Sequence, residues 1–325
     1  MNNETHILAA WSLPLNRDNF KLKPGNISKD FASESLTWVH LDARKSESEN
    51  WLKTQEAHID EIIIEALFAE ETRPRILELN KGALLILRGL NLNPGDDIED
   101  MVSLRIWVDA KRIISVEKRS SNILEALENQ LSQPKGPKNA GDFIVKLTYL
   151  LLNRIEPVLS ALEEAIDDAE EKIMDNPDVK LRAAIIDSRR KAIIFRRYLS
   201  PQRDVILSLR AIEQSWLSAF NKRQLYESYD RSQRYIEELD LIRERSHMIN
   251  DELSNTVSAR LNKNLFLLSI ITTIFLPLSF LTGLFGINVG GIPGANSTHG
   301  FWFFSLSLIA LVMLTIFLFK KLRWF

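Results

Sequence analysis

Two uninterrupted apolar stretches near the C-terminal end constrain this chain more than anything else in it. Leu265 to Phe285 runs LFLLSIITTIFLPLSFLTGLF, 21 residues without a charge, and as a helix that is enough to cross a hydrocarbon core of roughly 30 Å. Phe301 to Phe319, FWFFSLSLIALVMLTIFLF, supplies 19 more, and the segment 286–300 between them contains no Lys, Arg, Asp or Glu. A buried hairpin in a soluble protein has little use for two full-length uncharged stretches. The sequence therefore predicts two membrane spans, 265–285 and 301–319, joined by an extracytoplasmic loop.

Charge sets the orientation. Arg260 and Lys263 precede the first span, and Lys320, Lys321 and Arg323 follow the second, in the basic tail 320–325. Basic residues mark the cytoplasmic side, so both termini are expected there. The start, Met1-Asn2-Asn3-Glu4-Thr5-His6, shows no charged and then apolar leader, so the long N-terminal part is expected to stay in the cytoplasm, against a bacterial inner membrane.

All 43 acidic and 38 of the 41 basic residues lie before Asn264. The net charge of -2 thus hides a head that is five charges negative and a tail that is nearly pure hydrocarbon. A negative head argues against a nucleic-acid partner and suits attraction of cations. With no cysteine there is neither a disulfide framework nor a thiolate metal site.

Residues 1–137 read as a cytoplasmic α/β domain with a mixed sheet. Strand-like runs cover His6 to Leu13, Leu36 to Leu41, Ala83 to Leu92, Met101 to Val108 and Arg112 to Val116, with a helical stretch from Ile59 to Ala69. Gln133-Pro134-Lys135-Gly136-Pro137 closes the domain. Residues 138–222 read as antiparallel helices, turning at Asp175-Asn176-Pro177. From about Arg223 no Pro or Gly intervenes before Pro277, which predicts one stalk helix over 223–285 that continues into the bilayer.

Counting in sevens along that helix, Glu237, Glu244, Asp251, Ser258, Leu265, Thr272, Ser279 and Gly286 share a register. Asp240, His247, Ser254, Leu261, Leu268, Phe275 and Thr282 run beside it. The stripe is acidic in the cytoplasm and becomes small, hydroxylated and apolar in the membrane. Hydroxyls in a span face a bundle interior or water, which suggests a pore lining. Close helix packing also uses Ser, Thr and Gly, but alignment with an acidic row favours the pore. Two spans cannot enclose a water path alone, so the chain is expected to oligomerise, in a number that heptads do not set.

The first span ends in Leu281-Thr282-Gly283-Leu284-Phe285-Gly286-Ile287-Asn288. Gly286 lets the backbone turn, and a ring of Asn288 amide oxygens from several subunits is suited to hold a cation's water shell. The plainer alternative is a helix C-cap, which favours Gly and Asn for backbone reasons.

Two C-terminal spans, a long preceding helix, an acidic head and a Gly-x-Asn together resemble the CorA-type family of divalent-metal transporters over nearly the whole chain. Glu71-Thr72-Arg73-Pro74-Arg75, Tyr198-Leu199-Ser200-Pro201-Gln202-Arg203-Asp204 and Phe280 to Gly294 look most like its zinc-transporting ZntB branch. The resemblance implies a funnel-shaped homopentamer whose first spans line the pore, with Gly286, Ile287 and Asn288 as the outer filter. It further implies that Thr272, Leu276 and Ser279 face the pore and that Asp251 sits in its cytoplasmic neck. Ile287 stands where the magnesium transporters have Met, which points to Zn2+ as the transported ion. Magnesium, cobalt or nickel is the alternative.

Zinc prefers nitrogen and sulfur ligands, yet the chain has only five histidines, of which His247 and His299 lie near the proposed path. Passage of a largely hydrated ion fits better than a dehydrated site, with Asn288, Asp251 and His247 as candidate metal contacts. His6, His40 and His58 show no ligand spacing and are expected to be structural. The acidic run Glu163 to Glu171 reads as a solvated helix face. Neither a Gly-x-x-x-x-Gly-Lys loop nor a Gly-x-Ser-x-Gly elbow is present, so the chain is not expected to be an enzyme or a nucleotide-driven pump. Protons are the expected coupling partner, if transport is not passive. A two-span sensor would share the topology but leaves the polar stripe unexplained.

Overall fold

The computed structural model describes the chain apart from residues 1–5, 15–17, 24, 56–58, 70–72, 80, 121, 134–135, 176–178, 288–291, 293, 295–296 and 322–325. It divides into two compact units, 1–250 and 251–325.

The first unit is built on a seven-stranded mixed sheet: β1 (Ile7–Leu13), β2 (Phe20–Lys21), β3 (Leu36–Asp42), β4 (Arg75–Leu79), β5 (Gly82–Gly89), β6 (Val102–Asp109) and β7 (Arg112–Glu117). Their spatial order is β2-β1-β3-β7-β6-β5-β4. β3 and β7 run parallel, with Val39 opposite Ile114, and every other neighbouring pair is antiparallel. Short helices α1 (Ile27–Phe31), α2 (Ser46–Thr54), α3 (Glu61–Phe68) and α4 (Ile123–Leu131) accompany the strands, and α5 (Ala140–Asp175) and α6 (Val179–Ala211) follow them.

Alternation along each strand feeds two cores. Trp38, Leu85, Ile106 and Ile113 join Leu127, Phe143, Leu147 and Ile206 of α4, α5 and α6 on one face. Val39, Leu84, Trp107 and Ile114 join Phe31, Leu52 and Leu67 of α1, α2 and α3 on the other. A sheet covered on both faces favours strands with near-continuous apolar runs; β5 is of that kind from Ala83 to Leu87, and β3 and β7, though they carry polar residues such as His40 and Ser115, are buried along almost their whole length. The two strands that the sequence reading missed, β2 and β4, are the edges of the sheet. Edge strands carry charge and stay short, as Arg75 and Glu78 in β4 illustrate, and so show no alternation to read.

Hydroxyl and amide caps fix where the long helices begin. At the start of α5, Asn139 Oδ1 accepts from the Asp142 N–H at 2.8 Å while Asp142 Oδ2 accepts from the Asn139 side chain at 2.9 Å. The next long helix, α7 (Ala219–Gly286), starts on a similar exchange. Asn221 Oδ1 accepts from the Ser218 hydroxyl at 2.7 Å, and Ser218 Oγ accepts from the Asn221 N–H at 3.2 Å. The Asn221 side chain then donates to Asp142 Oδ1 at 2.8 Å and joins the two caps. The approach is close: a Cβ on Gly141 would lie 2.4 Å from Asn221 Oδ1, so only glycine fits there. α7 begins four residues before the expected Arg223 and is a single helix of 68 residues.

Asn221→Ala deletes the link and one cap of α7, leaving Asp142 with less to hold. A loss of about 1–3 kcal/mol of unfolding free energy is expected, measured by denaturant titration of the detergent-solubilised chain with circular dichroism. A change under about 0.3 kcal/mol would show that the caps act independently.

Candidate ion path

In the second unit α7 is followed by α8 (Gly300–Lys321), and among the described residues these two helices are long and apolar enough to cross a membrane. Partly covered residues recur along α7 at Ile270, Ile274, Pro277, Leu278 and Leu281, and along α8 at Phe304, Leu308, Leu311, Val312 and Thr315. Three- and four-residue spacing of this kind marks one face of each helix. The rings of Phe285 and Phe304 meet at 5.0 Å on those faces.

The opposite face of α7 is bare. At about 100° per residue, Leu265, Thr272, Leu276 and Ser279 come out roughly 140–180° from Ile274, whereas Leu268 and Thr282 come out about 120° and 80° from it. All six are exposed, as are Asp251 and Ser258, and Leu276 is 68% exposed. Gly286 is the last residue of α7 and Ile287 follows it, exposed. Asn288 lies outside the described residues.

The threonine hydroxyls in the apolar part of this helix are satisfied locally. Thr272 donates to the Leu268 carbonyl at 2.8 Å, Thr273 to Ser269 at 2.7 Å and Thr282 to Leu278 at 2.9 Å. Each proton is thereby used within the helix, and the oxygen lone pairs that remain can accept from a hydrated ion's water.

In the first unit the acidic row of α7 is less uniform than the heptads imply. Asp240 forms ion pairs with Arg196 of α6 at 2.7 Å and with Arg243 at 3.2 Å, so it is not an open carboxylate. Arg245 spans Asp167 at 2.6 Å and Glu170 at 2.7 Å on α5, and both acids hold its pKa up. Within the run 163–171, Asp167 and Glu170 are therefore ion-paired, as Asp168 is with Lys172 at 2.9 Å. Among the described residues no group of three or more His, Asp or Glu is placed to hold a metal ion. Among the described residues, neither Asp251 nor His247 belongs to such a group.

His40 has a structural setting. Its Nδ1 lies 3.0 Å from Ser115 Oγ and its Nε2 3.2 Å from Glu117, all three buried. The Trp38 indole donates to the same hydroxyl at 2.8 Å. A serine, histidine and carboxylate in a row invite comparison with a hydrolase triad, but one sealed between parallel strands gives no substrate access.

Residues 33–321 match the family model described as CorA-like Mg2+ transporter protein. The chain belongs to that family. The divalent cation transporter CmaX of Pseudomonas aeruginosa is 39% identical over 300 residues, 91% of this chain and 89% of that protein. The zinc transport protein ZntB of Pectobacterium atrosepticum is 31% identical over 292 residues, 90% of this chain and 89% of that protein. The structure of the full-length CmaX protein superposes with a TM-score of 0.85 at 36% identity, covering 98% of each chain. The complete structure of the CorA magnesium transporter from Methanocaldococcus jannaschii gives 0.79 at 18% identity, covering 97% and 98%, a likeness of fold alone.

This CorA-like chain is accordingly a divalent-cation transporter and not an enzyme, as the residues suggested. Because identity to CmaX exceeds identity to ZntB, the likeness to the ZntB branch leaves the cation open.

One α7 carboxylate has a shifted pKa. Burial, then the charge of Glu163, push Glu238 up from the ordinary glutamate range, with Arg234 opposing. A carboxyl whose folded pKa is raised favours folding while protonated, and that contribution is lost as pH rises through the folded value. Glu238→Gln is therefore expected to raise the thermal midpoint at neutral pH and to leave it unchanged below the ordinary glutamate range. Equal midpoint shifts at both pH values would show that packing, and not charge, is responsible.

Proposed function

We propose that the chain assembles as a homopentamer in a bacterial inner membrane, both termini cytoplasmic, and conducts hydrated divalent metal ions through a pore lined by α7. The observation that carries this reading is the division of α7 into two faces. The face with Ile270, Ile274 and Leu281 is partly covered, and the bare one carries Leu265, Thr272, Leu276 and Ser279. A bare face mixing hydroxyls with apolar groups suits neither lipid nor solvent alone, and copies of α7 around an axis give it a place. Leu268 and Thr282, at the flank, fall where neighbouring α7 helices would meet. Gly286, Ile287 and Asn288 form the outer filter, with Asn288 oxygens accepting from the ion's water shell.

Zinc is the preferred cargo in this reading. Two features support it: the relatives named as zinc transport proteins and Ile287 at the filter position. The lack of a three-ligand cluster among the described residues favours an ion that keeps its water, since bare zinc takes about four close ligands. Magnesium, cobalt or nickel passage through the same lining is the second reading, and the family description favours magnesium among these.

The test is metal uptake into liposomes that contain the purified chain, comparing zinc, magnesium and cobalt with and without a pH gradient. Zinc flux should exceed magnesium flux, and an inward proton gradient should accelerate it if protons are coupled. Asn288→Ala is expected to cut flux about tenfold or more, the order of one lost charge-assisted contact, with the oligomer intact by size exclusion. Asp251→Ala should act only at low ionic strength, because exposed charges in a wide neck are screened within about 10 Å. Selective magnesium flux would move the cargo to the second reading, and no flux of any ion would overturn the pore.

A further inference from the structure

Between α5 and the start of α7 the first unit contains a cavity of about 440 Å³ that the ion path does not use. The two helices run parallel there, since positions 142 and 153 of α5 meet 221 and 231 of α7. Asn221 donates to Asp142 at 2.8 Å ahead of the cavity. Toward its far end Arg231 donates to Asn153 and to Glu156, at 2.5 Å each. Between these links lies an apolar floor of Val145 and Leu152, both buried, with the half-exposed Tyr149 ring beside it.

Four charged side chains stand on the walls, and two of them are already neutralised. Arg231 engages all three guanidinium nitrogens, with Asn153, Glu156 and the Tyr235 hydroxyl. Arg234 pairs with Asp230, one turn earlier on the same helix. The other two are Lys146 of α5 and Glu227 of α7. Among the described residues neither forms an ion pair, with the other or with a third group. The Lys146 ammonium faces only the Tyr149 ring, 5.1 Å from its centre. The Gln224 side-chain amide is likewise open to hydrogen bonding, among the described residues.

An open cation and an open anion above an apolar floor restrict what fits. A ligand with one charge would satisfy one of them and bring a like charge near the other. A neutral apolar ligand would desolvate both and give neither a partner. A zwitterion with an apolar body avoids both costs, and the volume is that of a small-molecule pocket. We propose that this cavity binds an α-amino acid with a large apolar side chain. The carboxylate meets Lys146, the ammonium meets Glu227, and the side chain lies over Val145 and Leu152. Bound in this way it adds a third tie between α5 and α7.

The experiment is calorimetric titration of the full-length chain in detergent with L-phenylalanine and L-leucine. Three comparison compounds each lack one feature: phenethylamine the carboxylate, N-acetyl-L-phenylalanine the charged nitrogen, and glycine the apolar body. Saturable binding of both amino acids is expected, with every comparison compound weaker by about tenfold or more, the order of one lost charge contact. Lys146→Gln should weaken L-phenylalanine about tenfold and erase its advantage over phenethylamine. Glu227→Gln should erase its advantage over the N-acetyl compound instead. Both variants should keep the ligand-free circular dichroism melt of the parent, and L-phenylalanine should raise the parent's thermal midpoint more than theirs. No saturable binding of either amino acid below about 10 mM, or binding that neither substitution changes, would overturn the proposal. Phenethylamine or the N-acetyl compound binding as tightly as L-phenylalanine would overturn it too, by showing that one charge suffices. The titration reads no ion flux, so its failure is separate from any failure of the pore.

Discussion

A spanning helix must satisfy its own backbone, because the bilayer interior offers no water to do it. That requirement shapes the whole second unit. It dictates helix for both apolar stretches, and it explains why the span threonines turn their hydroxyls back to carbonyls one turn earlier. Such a hydroxyl is harmless against lipid and still an acceptor against water. These threonines are thus compatible with membrane insertion before any assembly, and in the proposed pore their acceptors would face a water shell only when several copies meet.

The first unit obeys a different constraint. Its sheet is covered on both faces, so α5 and α6 are bound to the strands through Phe143, Leu147 and Ile206 while α7 starts from the Asn221–Asp142 link. Burial of apolar area supplies the bulk of the stabilisation, at about 25 cal/mol per Å², but it is indifferent to where a helix begins. The capping amides supply that information. Glycine at 141 is what allows Asn221 to come close enough.

Much of this was legible in the residues, for physical reasons. The two spans, the long α7 and the central strands β3, β6 and β7 declare themselves through length or apolar density, and those signals are local. The edge strands were not legible, because β2 and β4 are held by pairing to β1 and β5 and not by their own pattern. The acidic row on α7 was legible as a row, but not as a set of pairs: Arg196 is 44 positions away from Asp240, and Arg245 reaches back 78 to Asp167. The face of α7 that stays bare needed α8, since a heptad count keeps Leu268 and Thr282 in one stripe while the turn of a straight helix puts both toward the flank of that face.

The fate of the negative charge bears on how an ion would move. A line of open carboxylates would bind a divalent cation and slow its release. Here Asp240 is already paired with Arg196 and Arg243, and Asp167 and Glu170 with Arg245. Paired acids contribute little at close range, yet the head still carries a net excess, which acts as a diffuse field that raises the local cation concentration. Attraction without tight ligation is what rapid passage of a hydrated ion requires: entry must be favourable and exit must not be costly.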